Sequence, residues 1–336
     1  MKRYVMTMGA GLQGLRRQDV PRPVPGAGEA LVRVHAVSLN YREIAILVHG
    51  SYPLPVKPDV VAVADGAGEV MEVGEGVDRV RPGQRVVASV FPRWLDGPFR
   101  MEVIDQLGGS LDGMLSEYVC LPQQALVPVP AHLDDEEAAT LPCAGLTAWH
   151  AVTANGRMGE SETVLTLGSG PVSLFAIQFA KTLGAKVIAT TSDARKSERL
   201  RSLGADHVLD SAAQPAWGAQ VRKLAAGAGV DRVVEVQGST LAESLRATRL
   251  GGHVALVGTR GGPAAVEVGA VFGAGATIRP IAIGSRTQLE AMMQAVDRHR
   301  LRPVVDRVFP FARAREAFAH YLAGGNFGKV VVRLQP

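Results

Sequence analysis

The short apolar run "TVLTL" at residues 163–167 is followed at once by Gly168, Ser169, Gly170, Pro171 and Val172. Val172, Phe175, Ala176, Phe179, Ala180 and Leu183 then recur at helical spacing, which predicts an amphipathic helix lying on a sheet. A strand that turns through glycines into a helix N-terminus is suited to hold a pyrophosphate. Gly168 permits the tight turn, Gly170 lets a phosphate approach the backbone, and the first helical N–H groups sit at the positive end of the helix dipole. Ser173 stands where a third glycine would allow the closest helix–strand packing, so slightly looser packing is expected. An ordinary strand-to-helix turn is the competing reading, and the order of elements around the turn favours a dinucleotide.

The next strand bears on the type of dinucleotide. A site for NAD places Asp or Glu about 20 residues past the glycines, where it accepts from the ribose 2′-OH. Here "KVIATTSDARK" puts Thr191 at the strand end, with Ser192, Arg195 and Lys196 close behind. Hydroxyls and cations suit a 2′-phosphate, so NADPH is the expected cofactor. NADH stays open, because Asp193 turned inward would serve the ribose and the basic pair would then be a solvated helix face.

Short apolar strands, "TVLTL", "KVIAT", "DHVL", "DRVVEV", "GHVALV" and "ATIRPIA", alternate with helical stretches from residue 163 onward. That pattern predicts an α/β fold with a doubly wound, six-stranded parallel sheet of Rossmann type. Before it, alternating runs such as "ALVRVHAV" between turn signals such as "VPGAGE" and "RPGQ" predict a mostly β lobe. The expected division is a β domain over residues 1–122, completed by residues 291–336, and a dinucleotide-binding domain over residues 123–290.

Composition narrows the class of partner. The chain has 336 residues, 47% hydrophobic and 20% charged, with a formal net charge of +4, as expected of a folded globular protein. Arginines are scattered rather than clustered, so no nucleic-acid partner is expected. Cys120 and Cys143 stand alone and far apart, which disfavours a disulfide framework or a cysteine-rich zinc site and fits a reducing cytoplasm. No stretch is long and apolar enough for a signal core or a membrane span, so a soluble cytoplasmic protein is expected.

The segments "GEALVRVHAVSLNYREI", "DGAGEVMEVGEGVDRVRPGQRV", "AATLPCAGLTAWHAV" and "GGNFGKVVVRL", together with the glycine turn, resemble the medium-chain dehydrogenase/reductase superfamily. Within it the chain is similar to the zinc-free branch of quinone oxidoreductase-like and zinc-independent alcohol dehydrogenase-like proteins. The resemblance implies a GroES-like β domain joined to the Rossmann domain. Zinc-dependent members hold a catalytic metal with a Cys in the loop after the strand "ALVRVHAV", the His of a GHE motif, and a third Cys or His. This chain has Asn40, Tyr41 and Arg42 in the loop, Ala64 and Asp65 at the His and Glu positions, and Cys143 at the third. One retained ligand cannot make a tetrahedral site, so no zinc is expected and Cys143 reads as a small buried hydrophobe.

Without a metal, charge developing on an acceptor oxygen needs a hydroxyl or backbone donor. The resemblance implies Tyr52 as catalytic donor, and Tyr41 beside the nicotinamide; the competing reading of each is an amphipathic residue with its hydroxyl at the cleft rim. It also implies cofactor contacts from Asn40, Thr147, Val257, Thr259, Gly284, Asn326 and Lys329. Asp65 would orient a substrate or pair with Arg42, with a structural turn role favoured over either. In "FPRWLDGPFR", Arg93 and Trp94 would close over a flat substrate, or else form a solvent-exposed loop. The expected activity is hydride transfer from NADPH to a quinone or an α,β-unsaturated carbonyl compound. A zinc-free alcohol dehydrogenase or carbonyl reductase, and a non-catalytic NADPH-binding protein, are the alternatives. The sixth strand, "ATIRPIA", would present an edge that needs covering, and the resemblance implies pairing of that edge across a two-fold axis, so a homodimer is expected.

Overall fold

Residues Glu29–Ser38 are buried except at the half-buried Glu29, Arg33 and His35. Such a strand needs neighbours on both sides, and the computed structural model supplies them. The structure describes every residue except Arg157, Glu160, residues 259–264 and residues 335–336. Two compact units result, residues 1–146 with 284–336, and residues 147–283.

In the first unit, one sheet runs in the order Val305–Pro310, Lys329–Arg333, Glu29–Ser38, Asp65–Val73, Arg85–Ala88, Leu126–Pro128, with Tyr118–Pro122 also on Glu29–Ser38. A smaller antiparallel sheet holds Leu15–Asp19, Lys2–Met6 and Val60–Val61. The register matters for chemistry. Ser38 lies opposite Asp65 on one side and Val331 on the other, and Leu39 N–H donates to Val330 at 2.9 Å. Asn40, Asp65 and Lys329 are thereby brought to one place from three distant parts of the chain.

Asn40 then starts the short helix Tyr41–Ile44, its backbone N–H donating to the Glu43 carboxylate at 2.7 Å. The helix widens to a π turn at Ala45–His49 and stops at Gly50, whose φ of 62° is left-handed. A second π turn, Leu141–Gly145, carries Cys143. Such turns occur often at functional sites because the extra residue redirects side chains.

The first unit continues past residue 122, the boundary expected from composition. Leu126–Pro128 pairs with Arg85–Ala88, Asp135 accepts from Arg85 at 2.7 Å, and Arg286 N–H donates to Trp94 at 2.9 Å. These bonds hold residues 123–146 and 284–290 to the β unit.

The second unit is a parallel sheet in the order His207–Asp210, Lys186–Thr191, Thr163–Leu167, Val230–Glu235, Thr248–Leu256, Thr277–Pro280. This is the doubly wound arrangement, with the strand order reversing beside Thr163–Leu167, and ligands bind at the carboxyl ends of strands at such a point. Helix Pro171–Thr182 buries Phe175, Ala176, Phe179 and Ala180. The edge strand Thr277–Pro280 is largely exposed, and beside it in sequence helix Val268–Ala274 presents Val268 and Phe272 at 84% and 88% exposure. No helix among the described residues is long and apolar enough to cross a membrane.

Candidate active site

The glycine turn has the form the sequence predicts. Gly168 has φ 76°, a left-handed conformation that favours glycine. Gly170 is more telling. Its φ of −78° suits any residue, and a Cβ placed on it would have no atom within 4 Å. Neither conformation nor packing calls for glycine there, which leaves room for a ligand as its physical reason. Pro171 occupies the first turn and no side chain caps the helix, so the N-terminus is suited to phosphate. Ser173, in place of a third glycine, ties helix to strand by donating its hydroxyl to Leu167 at 2.6 Å. The residues fit a dinucleotide.

At the next strand end, the Thr191 hydroxyl is buried and donates to the Asp193 carbonyl at 3.2 Å. Ser192 is exposed and Lys196 half-buried. Both oxygens of Asp193 are taken by Arg195, at 2.8 and 3.0 Å, and this hydrogen bonding holds the carboxyl below its usual range. Asp193 is therefore not turned inward as an unengaged ribose acceptor.

Other expected cofactor positions divide. Thr147 is buried and Val257 half-buried, while Thr259 lies outside the described residues. Gly284 is explained by packing, since a Cβ there would meet Leu146 at 2.7 Å. Asn326 is half-buried and donates to Gly328 at 2.9 Å. One organising residue went unread in the sequence. Fully buried Glu235 accepts from Gln237 N at 2.9 Å, Gly238 N at 3.0 Å, Thr240 Oγ1 at 2.8 Å and Ser244 Oγ at 2.6 Å. It shapes the turn after its strand, and its signal was a carboxylate at a strand end followed by "QGST".

In the first unit, Asn40 and Lys329 meet in one buried place. Lys329 is 1% exposed at its side chain and donates to Asn40 Oδ1 at 2.5 Å and Asp65 Oδ2 at 3.3 Å. Asn40 Nδ2 donates to Asp65 at 2.9 Å and to the Ser38 carbonyl at 3.3 Å. Both side chains are engaged in a buried polar cluster. Asp65 pairs with Lys329, not Arg42, because strand register sets them together. Burial pushes Asp65 up to about 6, against the pull of Lys329 and Asn40.

Arg42 forms the other half of the cluster. Its guanidinium reaches Glu43 at 3.1 Å, Gln106 at 2.7 Å, the carbonyls of Leu107 and Gly108 at 2.9 and 3.4 Å, and the Tyr52 hydroxyl at 3.3 Å. Burial alone would lower its pKa, but Tyr52 and Glu43 outweigh that and raise it, so Arg42 stays cationic. Tyr52 and Tyr41 are both half-buried, and the Tyr41 ring lies 6.0 Å from that of His49.

This set does not fit a catalytic zinc. Ala64 has no ligating atom, and the Asn40 amide and Asp65 hold the Lys329 ammonium. Burial, then Asp65, push the Cys143 thiol well up. Two buried acids, Asp65 and Glu43, already face two buried bases, Lys329 and Arg42, so an added dication would be uncompensated. Among the described residues no group of three His, Cys, Asp or Glu side chains is placed to hold a metal.

Trp94 also departs from expectation. It is 2% exposed and packs at 4.9 Å from Phe99 and 6.1 Å from Phe91, with its indole N–H on the Gly97 carbonyl at 2.9 Å. Its faces are occupied by core packing, so it does not stand open to stack on a substrate. Arg93 is 70% exposed at its side chain, 3.4 Å from Asp105.

Comparison with known proteins gives this geometry a lineage. Residues 26–131 match the alcohol dehydrogenase GroES-like domain and residues 171–298 the zinc-binding dehydrogenase domain. A zinc-type alcohol dehydrogenase-like protein of Schizosaccharomyces pombe is 37% identical over 330 residues, covering 94% of this chain and 93% of its own. The chain belongs to the medium-chain dehydrogenase/reductase superfamily. This medium-chain dehydrogenase/reductase is also 32% identical over 335 residues to a chloroplast envelope quinone oxidoreductase homolog of Arabidopsis thaliana, covering 96% and 95% of the two chains. A solved structure from Sinorhizobium meliloti, assigned to the alcohol dehydrogenases, superposes with a TM-score of 0.92 at 37% identity over 99% of each chain. As a medium-chain dehydrogenase/reductase of the quinone oxidoreductase-like branch, the protein is an NAD(P)H-dependent oxidoreductase.

Proposed function

We propose that the protein is a zinc-independent, NADPH-dependent reductase of quinones or α,β-unsaturated carbonyl compounds, working as a cytoplasmic homodimer. The observation that carries this reading is the Tyr52 phenol held by the buried Arg42 guanidinium at 3.3 Å, beside a charge-balanced cluster in place of metal ligands. The Gly168–Val172 turn and the helix behind it would hold the pyrophosphate, and Thr191, Ser192, Arg195 and Lys196 would meet the 2′-phosphate. When bound, the dinucleotide supplies hydride, and negative charge gathers on the acceptor oxygen. The Tyr52 hydroxyl donates a proton to that oxygen and is refilled from water, while Tyr41 and Arg93 border the acceptor. Support for the dimer comes from the exposed edge strand Thr277–Pro280 and from Val268 and Phe272.

Alcohol oxidation is the second reading, favoured by the alcohol dehydrogenase names among the relatives. It requires a base for the alcohol proton, and the carboxylates of this cluster, Asp65 and Glu43, are fully buried. NADPH oxidation against a quinone, an enone, an enoyl thioester and a saturated aldehyde separates the readings. Turnover on the conjugated acceptors is expected, and turnover confined to the aldehyde would favour the second reading.

A further inference from the structure

Tyr52 follows the helix-breaking Gly50 in an extended, proline-rich stretch, and regular structure does not fix its hydroxyl. Among the described residues the hydrogen bond to that hydroxyl comes from Arg42 Nε, at 3.3 Å, and the guanidinium carbon lies 5.3 Å from the ring centroid. Arg42 itself is unusually well fixed. A guanidinium has five N–H donors, and here four of them are used on Glu43, Gln106, Leu107 and Gly108. Glu43 is held in turn by the backbone N–H groups of Asn40 at 2.7 Å and Ala64 at 3.2 Å. With those four bonds made, the guanidinium plane cannot rotate, and the fifth donor, Nε–H, is aimed at the phenol.

We infer that Arg42 is a positioning residue for Tyr52, an inference that rests on the reading of Tyr52 as proton donor. Its Nε–H occupies one lone pair of the phenol oxygen and so turns the hydroxyl hydrogen away from the cluster, where an acceptor can take it. When the O–H bond breaks and its electron pair stays on Tyr52, the fixed positive charge faces the new phenolate, and a charge-assisted hydrogen bond of this kind is stronger than the neutral one it replaces. The phenolate then recovers a proton from water. Burial of Arg42 keeps water from screening the interaction.

The test is a double-mutant cycle on enone reduction, with folding and NADPH binding measured on each variant. Arg42→Met is expected to lower kcat by about tenfold with KM for NADPH unchanged, and Arg42→Lys, which keeps the cation but not the fork of donors, to recover only a small part of that loss. In a Tyr52→Phe background the Arg42→Met change is expected to have no further effect, because the two act as a unit. Equal losses in both backgrounds would make Arg42 merely structural and overturn the inference. Undiminished kcat in Tyr52→Phe would instead overturn the reading of Tyr52 beneath it. Should Arg42→Met not fold, Arg42→Gln in the two backgrounds reads the same coupling.

Discussion

Lys329 Nζ lies 2.5 Å from Asn40 Oδ1, across 289 residues of chain. The strand from residue 329 joins the sheet beside Glu29–Ser38, and Asp65 enters from the other side. A cation from strand Lys329–Arg333 is thus sealed among polar groups from the first 65 residues of the chain.

Removing that cation should be severe. Lys329→Met leaves Asp65 buried without its charge partner, and breaking such a pair destabilises by about 3–5 kcal/mol. Urea unfolding should show this loss, and Asp65→Asn added to Lys329→Met should recover part of it. Stability within about 0.5 kcal/mol of the parent would mean the pair is not coupled.

Two buried groups predict opposite pH dependences. Asp65 is raised from 3.8 to about 6 by burial, so unfolding releases a proton between those values. Its contribution is full below about pH 4, falls as pH rises and is lost above about 6. His253 is 1% exposed, with no hydrogen-bond partner for either ring nitrogen among the described residues, and burial, then Arg232 and Arg279, lower its pKa below 6.5. Its contribution is present above 6.5 and is lost as pH falls. Asp65→Asn and His253→Phe should each remove one limb when thermal unfolding is followed from pH 4 to 8. A profile unchanged in both variants would refute the assignment.

Gly170→Ala separates binding from folding. The added methyl enters open space, so the melting temperature should stay within about 2 °C, while the NADPH dissociation constant rises about tenfold by fluorescence titration. Equal affinity would show that no phosphate approaches there.

Phe272→Asp tests the assembly. If the exposed face at Val268 and Phe272 meets a second copy, sedimentation should show a dimer for the parent and a monomer for the variant. A monomeric parent at high concentration would end the dimer proposal.

The sequence was most informative where spacing is local. Gly168 to Val172 and the helix behind them follow from a strand, two glycines and a 3.6-residue period, all within twenty residues. The contacts of Lys329 and Asn40 with Asp65 were not legible, because they are set by strand register, which no local pattern encodes. Trp94 looked like a lid in a loop of charged and turn residues, and only the packing of Phe91 and Phe99 around it reveals a core position. Residues 123–146 joined the β unit for the same reason, through the pairing of Leu126–Pro128 with Arg85–Ala88.

The central claim is reduction of a conjugated acceptor without zinc. The most direct measurement is the steady-state rate of NADPH oxidation by an enone, using protein dialysed against a strong chelator and analysed for metal. Full turnover at far less than one zinc per chain is the predicted result. Loss of turnover on dialysis, restored by zinc alone, would contradict the account.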